Sequence, residues 1–128
     1  MEPIQQVGRT GRVVGERERG TRCCDVVPGP GMDGEAIDRV SADLELLAHP
    51  VRLRLLELLV RRGGEVCVCD LERVVPVKQP TVSHHLRLLR EAGWVETVRK
   101  GIWAYYFARP EVLAAVRERV SRAMGALA

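Results

Sequence analysis

From residue 33 onward, apolar positions recur with the period of a helix. Ile37, Val40, Leu44 and Leu47 stand three or four residues apart, so residues 33–48 form a helix with one apolar face. His49-Pro50 interrupts it, because the residue before a proline avoids the helical region. Pro50 then suits the first turn of a second helix, which carries Leu53, Leu55, Leu56, Leu58, Leu59 and Val60 and ends at Gly63-Gly64. Its wide apolar surface predicts burial within a small bundle. A short helix with Val68, Leu71, Val74 and Val75 follows and stops at Pro76. The next helix spans 79–92, with Val82, Leu86 and Leu89 on one face and Gly93 after its end. Residues 94–99 alternate, and 102–108 are β-branched and aromatic, which predicts two strands with a tight turn at Lys100-Gly101. A last helix covers 110–124, with Val112, Leu113, Val116 and Val120 on one side.

Helix, helix, short helix, turn, helix, hairpin, helix is the plan of a winged helix-turn-helix. The expected class is therefore mainly α with a small β-hairpin (α+β), over residues 33–128. No internal repeat is evident. Residues 1–32 differ: glycines at 8, 11, 15, 20, 29 and 31, Pro28, Pro30 and charges without period predict a flexible N-terminal tail carrying Cys23-Cys24.

At 128 residues the chain suits one domain with a modest core. All its aromatic residues fall between Trp94 and Phe107, so the core elsewhere is aliphatic. No apolar run approaches the roughly 18 residues of a membrane helix, and the N-terminus lacks the apolar core of a secretory signal. A cytoplasmic, membrane-free protein is expected, with its four cysteines as thiols.

Charge focuses the picture on one region. Between Pro76 and Lys100 lie five Lys or Arg and two acids, an excess equal to the +3 net charge of the whole chain. With Val82, Leu86 and Leu89 turned inward, Gln79, Thr81, Ser83, His84, Arg87 and Arg90 fall on exposed faces. There, with Lys78, they can reach base edges and phosphates. Arg99, Lys100 and Gly101 at the hairpin tip are expected to touch a minor groove or phosphates. Adjacent His84 and His85 point about 100° apart on a helix and would not chelate one ion together. His85 is expected to pack, and His84 to meet DNA. A single such unit has a small footprint, so a homodimer reading two half-sites is expected, joined through the apolar faces of the first and last helices.

The cysteines come in two tight pairs, Cys23-Cys24 and Cys67-Val68-Cys69. Thiolates are soft donors that select soft ions. In a regular helix, Cys67 and Cys69 would point roughly 200° apart. Binding one ion with both would require an irregular or distorted helix start. Cysteine also packs well in cores, but Val68 and Leu71 already supply that packing.

These segments resemble a known family. Residues 65–71, Glu-Val-Cys-Val-Cys-Asp-Leu, are similar to the ELCVCDL metal box of the ArsR/SmtB repressors. Residues 79–86, Gln-Pro-Thr-Val-Ser-His-His-Leu, resemble that family's recognition-helix motif, and residues 49–55 resemble its DPxRLxIL segment, with His49 in place of the aspartate. The resemblance implies a dimeric repressor that leaves an inverted-repeat operator when an ion binds, with Cys67 and Cys69 as ligands. Cys23-Cys24 and the wing strand 101–106 resemble an arsenite-sensing subgroup, which implies As(III) or Sb(III) as inducer and the repression of a resistance operon. The last helix lacks the Asp/His pattern of the family's zinc site.

Three rivals keep the fold: a Cd(II) or Pb(II) sensor using all four cysteines, a thiol redox sensor, and a constitutive DNA-binding protein with incidental cysteines. An enzyme with a cysteine nucleophile is not expected, because no histidine is placed beside a cysteine in the sequence pattern.

Overall fold

A computed structural model describes residues 31–127. Cys23, Cys24 and the expected tail up to residue 30 lie outside the described residues. Helix α1, Gly34–Leu47, begins where Asp33 accepts a 2.7 Å hydrogen bond from the Ala36 amide. This cap satisfies one of the orphan donors of the first turn. Helix α2, Pro50–Arg62, begins at His49, whose Nδ1 accepts from the Val51 amide at 3.2 Å. The imidazole thus fills the capping position that an aspartate takes in the family pattern. Gly63, at φ +71°, closes α2 in the left-handed conformation that glycine adopts without steric cost.

Strand β1, Val66–Cys67, leads into the short helix α3, Val68–Val74, and then into α4, Gln79–Glu91. Strands β2, Val95–Lys100, and β3, Trp103–Ala108, form the hairpin, and α5, Pro110–Ala126, closes the chain. Leu55, Leu59, Leu71, Val82, Leu86, Leu89 and Val95 are fully buried where α2, α3, α4 and the hairpin meet. Each buried leucine contributes about 1.5–3 kcal/mol relative to exposure, and this aliphatic core fixes the orientation of α4. Trp94 is buried at the foot of the hairpin, and Val116 is the buried residue of α5. Helix α1 lies against α5.

Two details differ from the sequence reading. The hairpin is part of a three-stranded antiparallel sheet, ordered β1-β3-β2. The loop is Gly101-Ile102 rather than Lys100-Gly101, since Lys100 pairs with Trp103 as the last rung of the ladder. Gly101 takes φ +66°, so the left-handed residue opens the loop. None of the described helices is long and apolar enough to cross a membrane.

Candidate metal centre and nucleic-acid interface

Helix α4 has the expected two-sided character. Val82, Leu86 and Leu89 have no exposed surface. Lys78, Gln79, Thr81, Ser83, His84, Arg87 and Arg90 are all exposed, as are Arg99 and Lys100 at the far end of β2. Pro80 in the first turn costs no internal hydrogen bond there. His84 and Arg87 meet through Nδ1 and Nη2 at 3.1 Å, one turn apart on the outward face.

His85 is buried against α2, as the phase of α4 predicts. Its ring centroid lies 4.3 Å from that of His49, and its Nδ1 has no hydrogen-bond partner. Burial pushes its pKa below the ordinary histidine value, and the neighbouring His49, Arg52 and His84 push the same way.

The thiol pair departs from the geometry expected of a regular helix. Cys67 has φ −64° and ψ 138°, so it is extended and belongs to β1, while Cys69 stands in the first turn of α3. The strand-to-helix bend between them swings the two side chains together, and their Sγ atoms lie 2.6 Å apart. Of the two conditions for joint ligation, an irregular helix start or a distorted one, the structure has the first. Both are free thiols and partly exposed. Hydrogen bonding to the Cys67 thiol raises the Cys69 pKa above the ordinary thiol value; partial burial and the nearby charges of Cys67 and Asp70 add to it.

The donor set fits a thiophilic ion, because sulfur is soft and the two thiols already converge. It also falls short of a full site. Among the described residues, no group of three or more His, Cys, Asp or Glu side chains could hold an ion. The described chain thus offers two thiols, and further ligands would have to come from elsewhere.

The sheet adds residues that the sequence reading did not single out. Cys67 pairs across the ladder with Tyr105, and Val66 with Tyr106. Lys100, expected to face DNA, places its Nζ 2.6 Å from Glu65 Oε1 and 5.3 Å from the centroid of the Tyr105 ring. The hydrogen bond and charge of Glu65 raise the lysine pKa above its usual value. The alternation of β3 does set Tyr105 on a common face with Trp103. Only the two-residue β1 brings that face beside Cys67.

Fold and surface together define a winged helix-turn-helix protein. The signature of "Bacterial regulatory protein, arsR family" matches residues 49–97, from the α2 cap through the thiol pair and α4 into β2. The arsenic resistance transcriptional regulator ArsR1 of Pseudomonas putida is 48% identical over 66 residues, covering 52% of this chain and 51% of that protein. The arsenical resistance operon repressor of Escherichia coli K12 is 40% identical over 70 residues, covering 55% of this chain and 59% of the relative. The chain thus spans only about half to three-fifths of the length of these two relatives. The crystal structure of the transcriptional repressor BigR from Xylella fastidiosa superposes with a TM-score of 0.55 at 36% identity, covering 66% of this chain and 85% of that one. The chain belongs to the arsR family of bacterial regulatory proteins.

Proposed function

We propose that the protein is a homodimeric repressor that binds an inverted-repeat operator and releases it on capture of trivalent arsenic or antimony. The observation that carries this reading is the convergence of Cys67 and Cys69, 2.6 Å apart, on the strand and helix that lead into α4. The basic, exposed face of α4 and the tip of the wing supply the DNA surface. Lys78, Gln79, Thr81, Ser83, His84, Arg87, Arg90, Arg99 and Lys100 are its contacts. Ile37 and Leu44 on α1 and Met124 on α5 remain 47%, 45% and 61% exposed. This surplus apolar surface on the two terminal helices supports their use as the dimer contact.

Cys67 and Cys69 would hold the ion together with one or both of Cys23 and Cys24, one of them giving a three-thiolate set. When bound, the ion would supply a soft Lewis acid to the thiolates of Cys67 and Cys69. The chain's own part is mechanical. Drawing the thiols toward a further ligand shifts β1 and the start of α3, and the packed core passes the shift to α4. A coupling of about 1–3 kcal/mol, roughly 5–150-fold in DNA affinity, is the usual scale of such linkage.

The test is a DNA-binding titration on the protein's own upstream sequence with arsenite, antimonite, cadmium, lead and zinc, repeated for each Cys→Ser variant. Arsenite and antimonite should release the DNA, and Cys67→Ser and Cys69→Ser should abolish the response. Release by cadmium or lead alone, with all four cysteines indispensable, selects the four-thiolate reading instead. The proximity of the two sulfurs also favours one other reading, a redox switch. Peroxide would then oxidise both thiols to a disulfide and be reduced to water, releasing DNA without any ion.

A further inference from the structure

We infer that Glu65 is a positioning residue that latches the wing to the thiol-bearing strand through Lys100, so that movement of Cys67 reaches the DNA surface by a second route besides α3 and α4. This inference rests on the repressor reading above. Strand β1 is two residues long, and among the described residues its ladder partner is β3, the return strand of the wing. Cys67 stands opposite Tyr105 in that ladder, so a displacement of β1 at Cys67 pulls on the wing backbone directly.

A side-chain link runs beside the backbone link. Cross-strand partners project to the same face of a sheet. Tyr105 therefore lies on the Cys67 side, and the Lys100 ammonium sits 5.3 Å above its ring. The same ammonium is 2.6 Å from Glu65, two residues before Cys67 in the chain. Lys100 pairs with Trp103 at the last rung before the Gly101-Ile102 loop. Glu65, Cys67, Tyr105 and Lys100 thus form a closed circuit with the thiol at one end and the wing tip at the other. Arg99, whose side chain projects to the opposite face, stands outside it.

The latch also sets a competition. A lysine neutralised by Glu65 contributes less charge to a DNA phosphate than an unpaired one. Shifting β1 changes the distance between Glu65 and Lys100, and with it both the position of the wing and the charge it offers.

The test compares the full-length protein with Glu65→Gln, Lys100→Gln, the double variant and Lys100→Arg. DNA binding is measured against salt concentration, with and without arsenite. In Glu65→Gln without arsenite, the released lysine should steepen the slope of log K against log salt, by up to about 0.9, the value of one full phosphate contact. With arsenite, Glu65→Gln should lose less DNA affinity than the wild type by at least threefold, at unchanged arsenite stoichiometry. The double variant should respond to arsenite no less than Glu65→Gln alone, and Lys100→Arg should behave as wild type.

A second readout needs no DNA. Trp103 is 49% exposed and Trp94 only 3%, so an arsenite-induced emission change should arise from Trp103. It should disappear in Trp103→Phe and shrink in Glu65→Gln. A Glu65→Gln protein with wild-type salt slope and wild-type arsenite response overturns the inference. If the wild type itself keeps its DNA in arsenite, the repressor reading fails. The latch is then decided by the salt slope alone: a steeper slope in Glu65→Gln upholds it, and an unchanged slope overturns it.

Discussion

Arg119 on α5 and Asp43 on α1 are 76 residues apart in sequence and meet as a two-pronged ion pair. Nε donates to Oδ2 at 2.8 Å and Nη2 donates to Oδ1 at 3.2 Å. The fork of the guanidinium matches the carboxylate, and Asp43 is one of the few buried polar side chains in the described fold. Its partner raises the Arg119 pKa through that hydrogen bond. The pair fixes α5 against α1 on the helices proposed to form the dimer contact.

Arg119→Ala should therefore be costly, because it leaves a buried carboxylate without compensation. The expected loss is about 2–4 kcal/mol, near the lower part of the range for breaking a buried pair, since the Arg119 side chain retains partial solvent access. Asp43→Ala/Arg119→Ala should be less destabilised than the sum of its single variants, by at least about 1 kcal/mol. Urea unfolding of the four proteins measures both quantities. Strict additivity would show that the two residues act independently.

Stability should also fall with acid in a particular window. His85 is buried beside His49, and burial holds its pKa below the ordinary 6.5. The unfolded chain thus takes up a proton at a pH where the folded chain does not. Stability is fully present above about pH 6.5 and is lost as pH falls below it, by at most about 1.4 kcal/mol per pH unit for this one group. Thermal unfolding between pH 7.5 and 5.5 should show the drop, and His85→Gln should flatten it. A variant with the same pH slope as wild type would remove His85 from the account.

The hairpin shows how far the residue pattern carries. Val82, Leu86 and Leu89 were legible as one helical face because a three- to four-residue period repeats over several turns, and all three are fully buried. His85 was legible from the same phase. Cys67 was not. A two-residue strand has no period to detect, and its extended backbone exists because β3 offers an edge to pair with. A regular helix through Cys67 would oppose the thiols, and the bend at the β1–α3 junction supplies the irregular start that joint ligation requires. The turn was misplaced by one residue because Lys100 looks like loop chemistry in sequence. In the fold, Trp103 is its ladder partner and Glu65 its ion-pair partner. Long-range pairs of this kind, like Asp43 with Arg119, leave no local trace in the chain.

The DNA surface makes its own prediction. Arg90 and Arg99 are exposed on α4 and β2 and enter no ion pair with the described residues. Arg90→Ala and Arg99→Ala should each lower DNA affinity and reduce the magnitude of the salt slope by about 0.9 if they contact a phosphate. Thr81→Ala or Ser83→Ala should instead change the preference among operator sequences and leave the salt slope unchanged. Fluorescence anisotropy across a salt series separates the two kinds of residue. An Arg90→Ala protein with unaltered affinity and slope would place the DNA contact elsewhere.

The identity of the inducer can be read from protons. The Cys69 thiol has its pKa raised, chiefly by hydrogen bonding to Cys67, so it is protonated at neutral pH. A divalent ion such as cadmium must displace those protons, because only thiolates ligate it. Arsenite enters the reaction as As(OH)3, and each thiol that binds it gives up a hydrogen that leaves with one hydroxide as water. Calorimetry at one pH in buffers of different ionisation enthalpy should therefore show about one proton released per bound thiol for cadmium and close to none for arsenite. Arsenite affinity should change little between pH 6 and 7.5, whereas cadmium affinity should rise with pH. Cys69→Ser should reduce the proton count for cadmium by about one. A cadmium count that stays the same in that variant would exclude Cys69 from the site.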